Sequence, residues 1–335
     1  MFYIHDLNIS ENHEIEEEIK VKQELEYIKG FTFRLCPGKA QGFADEKTKE
    51  SLRTLKASTA IDTAVIAIVA LQDTPHSEQI DYTGSHMPSD DELKEMIGYA
   101  KSIGLRVILK PMVNCRNGVW RAFINFFDKD VVCEPKWSQW FKNYAAYMLH
   151  YAAVAQETGC EMLIVGCELV MSERQEKYWR DLIGKVRGVY SGLLTYNTDK
   201  YQEDQVQWWD ALDVISSSGY YPIDRWEENY ERIYRVVQKF GKPFFFAECG
   251  IPCRTGSAQI PNDWTFQGPF DLEEQRRYYE KMFEESKKHP WMRGFVCWDW
   301  MSNYTEYPII NDGYSVYGKP ACEVIKSFYQ LKERE

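Results

Sequence analysis

The chain has 335 residues, an apolar fraction of 44%, a charged fraction of 27% and a formal net charge of −11. That length can bury a sizeable core, and an acidic chain without lysine–arginine runs lacks the basic surface that a nucleic-acid backbone needs, so no nucleic-acid partner is expected. The nine cysteines are odd in number, without CxxC spacing, and several lie in apolar runs (Cys167, Cys249, Cys297); this points to small buried hydrophobes in a reducing, cytoplasmic setting and away from a disulfide framework.

The opening segment, MFYIHDLNISENHEIEEEI, has neither a basic n-region nor an apolar h-region, and no apolar stretch reaches membrane-spanning length. Neither a secretory signal nor a membrane partner is expected. Residues 1–27 read as a short acidic extension, and 28–335 as one domain.

Short apolar runs then alternate with amphipathic stretches. The first run, at 30–35, precedes a helical stretch from Asp45 to about Ser58. The second, TAVIAIVAL at 63–71, is followed by a helix opening at Ser89, where Ser-Asp-Asp-Glu supplies an N-cap and first-turn acids. The third, RVILKPMV at 106–113, leads through a long loop to a helix from about Lys136, stopped by Gly159. The fourth run is MLIVGCE at 162–168, with a helix from about Glu176. The fifth is LLTYN at 193–197, with a short helical piece near Trp208. The sixth is DVISSSGYY at 213–221, with a helix from Glu227. The seventh is PFFFAE at 243–248, with a long loop and a helix from Asp271. The eighth is GFVCWDW at 294–300, and a last helix covers about 321–331. Eight strand–helix units of this kind predict an α/β fold, a single-domain (β/α)8 TIM barrel. The turn after the first run, CPGKA, is no GxGxxG, which weakens a doubly wound alternative.

In such a barrel, chemistry gathers at the C-terminal ends of the strands. Glu168 and Glu248 each end an otherwise apolar run. Strand alternation places Ile164, Gly166 and Glu168 on one face and Phe244, Phe246 and Glu248 on another; if those faces line the barrel, both carboxylates enter its mouth. Either glutamate alone could equally cap a loop or pair with an arginine. Two at matched positions favour catalysis, and a pair of carboxyls suits retaining cleavage of a glycosidic bond. Other strand ends carry Lys110, Asn114, Asn197, Tyr220 and Trp298. Alternation puts Trp298 and Trp300 on one face, with Asp299 opposite. None of the six histidines lies at a strand end or forms HxH or HExxH, so neither a metal nor another cofactor is expected. A class I aldolase using Lys110 as a Schiff base is a distant alternative, and a non-catalytic glycan-binding barrel a second.

The aromatic fraction of 15%, with 22 Tyr and 11 Trp, admits sugar stacking, though most single aromatics are better read as core. The long loops at 114–134 and 249–270 carry Trp120 and Trp264 and are expected to wall a cleft.

Several stretches resemble glycoside hydrolase family 113, the clan A β-1,4-mannanases. They are LRVILKP with NGVWRAFI beyond it, WFKNYAAYMLHYAAVAQETG running into MLIVGCEL, GYYP, and FFFAECG. The resemblance implies a retaining mechanism, with Glu168 as acid/base and Glu248 as nucleophile. It implies endo-type hydrolysis of mannan, glucomannan or manno-oligosaccharides, with transglycosylation open beside it and another clan A β-glycoside hydrolase as the alternative; the sequence itself shows no sign of a protein partner. It further implies Tyr220 bonded to Glu248, Trp298 under the attacked sugar, and Lys110, Asn114, Cys167 and Asn197 in the same cleft. Most of clan A has asparagine where Cys167 stands, and cysteine there is the family's own pattern. Met112 stands where the family often has histidine.

Overall fold

The computed structural model describes residues 25–36, 42–304 and 313–331. The expected acidic extension falls on residues of which 1–24 lie outside that range. Eight parallel strands close in chain order, β1-β2-β3-β4-β5-β6-β7-β8. They are β1 (Ile28–Arg34), β2 (Thr63–Gln72), β3 (Arg106–Cys115), β4 (Met162–Cys167), β5 (Leu193–Thr198), β6 (Val214–Gly219), β7 (Phe244–Cys249) and β8 (Met292–Met301). Among the described residues seven α-helices wrap them: α1 (Glu46–Thr59), α2 (Asp90–Ser102), α3 (Trp137–Thr158), α4 (Glu176–Arg187), α5 (Trp226–Phe240), α6 (Leu272–Ser286) and α7 (Pro320–Leu331). No described helix is long and apolar enough to cross a membrane. The expected α/β (β/α)8 barrel is what forms.

Local chemistry fixes the ends. Ser89 and Glu92 make both bonds of a capping box at α2, and Asp271 caps α6 by accepting from the amides of Glu273 and Glu274. Gly159 ends α3 at φ 63, a left-handed conformation that glycine adopts without a Cβ penalty.

Two layers of core result. Inside the barrel, Ile28, Val65, Ile108, Met162, Ile164, Val214, Phe245 and Val296 pack together, with Ala67, Met112 and Cys167 above them. The outer layer, between strands and helices, takes most of the aromatics. Seven of the eleven tryptophans are fully buried (Trp137, Trp140, Trp179, Trp208, Trp209, Trp226 and Trp300), so the aromatic excess is chiefly core. Polar tips in this layer reach strand carbonyls: the hydroxyl of Tyr144 donates to Val165 O at 2.9 Å, and that of Tyr147 to Met112 O at 3.0 Å.

Strand alternation does not survive to the top of the barrel, and this corrects three expectations. On β4 the register against β5 gains a residue between Ile164 and Cys167. Val165 packs in the outer layer, and a Cβ on Gly166 would meet Trp179 and Tyr196 there, so Cys167, not Gly166, continues the inward face. On β7 Phe244 and Phe246 face outward, while Phe245 and Ala247 face inward. Ser217 pairs with Phe246 but Ser218 pairs with Glu248, so one extra residue brings Glu248 inward as well. On β8 the pairing moves from Phe31–Cys297 to Phe33–Trp300, again with one extra residue. Trp298 and Asp299 therefore both face the mouth. Trp300 points outward, its indole donating to Ser51 of α1 at 3.0 Å, so the two tryptophans do not share a face.

Candidate active site

A cavity of about 860 Å³ opens at the C-terminal ends of the strands. Glu168, Glu248, Tyr220 and Trp298 line it, and Trp120 and Trp264 from the two long loops wall it as expected. Lys110, Cys167 and Asn197 lie fully buried and do not line it; they stand beneath and beside Glu248. Asn114 is set back from the opening and holds a side chain that does line it.

Glu248 is 4% exposed and bonded at both oxygens. The Lys110 ammonium donates to Oε1 at 2.5 Å and the Tyr220 hydroxyl to Oε2 at 2.9 Å, while the Cys167 thiol approaches Oε1 at 3.4 Å. Asn197 accepts from Lys110 at 2.8 Å and donates to Ser218 at 3.1 Å, so β3, β5, β6 and β7 are tied together under the carboxylate. Burial pushes the Glu248 carboxyl up, but the charges of Lys110 and Arg121 and the bonds from Lys110 and Tyr220 outweigh it, and the net shift is downward. Burial likewise pulls Lys110 down, and the charge and hydrogen bond of Glu248 oppose it, with a net upward shift that holds the amine protonated. A buried ammonium locked on a carboxylate is a poor imine former, which removes the physical basis of the aldolase alternative. Burial pushes the Cys167 thiol up to about 12, so it acts as a neutral donor.

Glu168 follows β4 at φ 50, in the left-handed region that costs a side-chain-bearing residue roughly 1–2 kcal/mol. Its amide is held by Asn197 O at 2.8 Å. Ser218 donates to Oε1 at 2.7 Å and the Trp120 indole to Oε2 at 3.2 Å, with Arg121 Nη1 3.6 Å from Oε2. A third carboxyl, Asp199, lines the same cavity. Burial first, then the charge of Glu168, pushes it up to about 7, and its cation is Lys200 at 3.6 Å. Neither a tyrosine nor a buried lysine bonds it as they do Glu248. Trp298 is half-buried on Ala67, Met112 and Cys167, with Arg34 and Lys110 at 5.5 and 5.6 Å from its ring centre.

Sequence reasoning missed Arg121, Ser218 and Arg34, and set Asp299 at the strand end but on the face opposite Trp298, whereas both line the cavity. Arg121 stood inside the NGVWRAFI stretch and Ser218 in the unusual serine run of β6; both were visible signals. Arg34 donates to Asp299 at 2.5 Å, and Tyr304 donates to the other oxygen of that carboxylate at 3.0 Å. Among the described residues no group of three or more His, Cys, Asp or Glu is placed to hold a metal.

A barrel mouth that clamps one carboxylate against a cation and offers a second carboxyl to whatever enters suits glycosidic cleavage, which needs both. The class these features define is a glycoside hydrolase. The sequence matches Glycoside Hydrolase Family 113 over residues 31–319. The chain belongs to that family. A solved GH113 β-1,4-mannanase complex is 54% identical, with a TM-score of 0.88 over 91% of this chain and 99% of that one. The GH113 β-mannanase AaManA from Alicyclobacillus acidocaldarius, in complex with ManMIm, is 38% identical, with a TM-score of 0.86 over 92% of this chain and 99% of that one. A β-glucuronidase from Dictyoglomus thermophilum shares the fold alone, at 16% identity and a TM-score of 0.63 over 91% of this chain and 50% of that one. No curated protein matches the sequence significantly.

Proposed function

We propose that the protein is a retaining endo-β-1,4-mannanase acting on mannan, glucomannan or manno-oligosaccharides. The observation that carries the mechanism is the unequal surroundings of two carboxyls in one cavity. Glu248, fixed as an anion by Lys110 and Tyr220, attacks the anomeric carbon while Glu168 gives its proton to the departing oxygen. The ester that forms removes the charge on Glu248. Glu168, now ionised, takes a proton from water, and the resulting hydroxide displaces Glu248 from the sugar. Trp298 offers its apolar ring as a floor for the sugar under attack, and the loop tryptophans wall the neighbouring subsites. Mannan is supported by the family and by the two mannanases of 54% and 38% identity. The many buried cysteines support a cytoplasmic setting.

The test is product analysis on β-1,4-mannan, glucomannan, cellulose and xylan. Mannobiose and mannotriose accumulate from longer mannan chains on this reading. Release of monosaccharide alone from chain ends, or activity confined to cellulose or xylan, refutes it.

A further inference from the structure

Arg121 lies in the loop after β3, on a single 3-10 turn (Arg121–Phe123), and its side chain is only 12% exposed. A buried guanidinium must be held on its donors, and this one is. Its Nε donates to Asn114 Oδ1 at 3.0 Å, and its Nη1 donates to Cys167 Sγ at 3.2 Å. The same Nη1 stands 3.6 Å from Glu168 Oε2, and Cys167 passes on to Glu248 Oε1 at 3.4 Å. Arg121 therefore touches the surroundings of both carboxyls and faces the cavity between them. Among the described residues its Nη2 has no hydrogen-bond partner, so a donor remains for a ligand.

The anomeric carbon offers such a donor three neighbours. The ring oxygen becomes electron-poor in an oxocarbenium-like transition state and repels a cation. The departing oxygen takes its proton from Glu168. Only C2 carries a hydroxyl, which can accept from guanidinium. In a β-mannoside that hydroxyl is cis to the departing oxygen, on the side where Glu168 stands; in a β-glucoside it is trans.

We propose that Arg121 is the specificity-determining residue that reads the 2-hydroxyl of the attacked sugar and so selects the manno over the gluco configuration. Asn114 and Cys167 are the positioning residues that aim it. This deepens the mannanase reading and rests on it.

The test uses three aryl β-glycosides: a mannobioside, its analogue lacking the 2-hydroxyl on the sugar joined to the aryl group, and a cellobioside. Comparing each substrate between enzymes cancels its intrinsic reactivity. Arg121→Ala is expected to lower kcat/KM on all three, because the guanidinium also supports both carboxyls, but by about ten- to hundredfold more on the mannobioside than on the other two, the worth of a charged hydrogen bond. Arg121→Lys, which keeps the charge but loses the planar fork, is expected to fall between and provides the comparison if the alanine variant does not fold. An equal fall on all three substrates would mean that Arg121 merely supports Glu168, and would overturn the assignment while leaving the mannanase reading intact. A wild-type enzyme inactive on the mannobioside would instead overturn that reading, and this inference with it.

Discussion

At Glu248, burial and charge pull in opposite directions, and charge wins through Lys110. The sign of a pH effect follows. A carboxyl whose folded value is depressed stays ionised as pH falls until that value is reached, and the stability it contributes is lost there. Lys110→Met removes the leading opposing charge and leaves only Arg121 and Tyr220 against burial. The acid limb of kcat/KM for mannan hydrolysis is then expected to move to higher pH, together with a fall in kcat. An acid limb that stays in place while the rate falls would show that Lys110 serves substrate binding and not the ionisation of Glu248. The residue identities at this site were readable because a glutamate ending an apolar strand is conspicuous. Their division of labour was not. Lys110, Cys167 and Asn197 read from sequence as cleft contacts, yet they lie under the cavity and hold the nucleophile candidate; Lys110, read as a strand-end residue, is the fifth of the ten residues of β3, and an apolar run does not mark depth along the strand.

The elements were legible because the strands are apolar runs and several helices carry start or stop signals, such as Ser89 at the start of α2 and Gly159 at the end of α3. The register was not legible. One extra residue on each of β4, β7 and β8 shifts the alternation, and hydrophobicity alone cannot show it where both faces are buried. Glu168 and Glu248 reach the mouth because of these bulges, not because of uninterrupted alternation. Gly166 is the test of the β4 bulge. A Cβ there would sit 2.8 Å from Trp179 and from Tyr196, two buried rings with little room to give. Gly166→Ala is expected to cost about 1–3 kcal/mol in chemical denaturation, the usual range for overpacking, and to lower kcat by displacing Glu168 two residues on. A variant with unchanged denaturation midpoint and unchanged kcat would show that the bulge tolerates a side chain and that Glu168 is positioned otherwise.

Across the whole molecule, a barrel closed in chain order stations β4 and β7 three strands apart, with Asn197 of β5 and Ser218 of β6 spanning the interval between them. The aromatic wealth that suggested sugar stacking serves mainly to fill the layer between strands and helices, leaving Trp120, Trp264 and Trp298 at the cavity. The central claim is that this frame assigns attack to Glu248 and proton transfer to Glu168. The most direct measurement is the anomeric configuration of the glycosyl azide formed when azide rescues Glu168→Ala on an aryl β-mannoside with a good leaving group. That substrate needs no acid for its first step, so the ester on Glu248 still forms, and the azide anion, which needs no general base, displaces Glu248 from the opposite face. The account predicts the β-azide; an α-azide from Glu168→Ala would mean that Glu168 is the nucleophile and would contradict it.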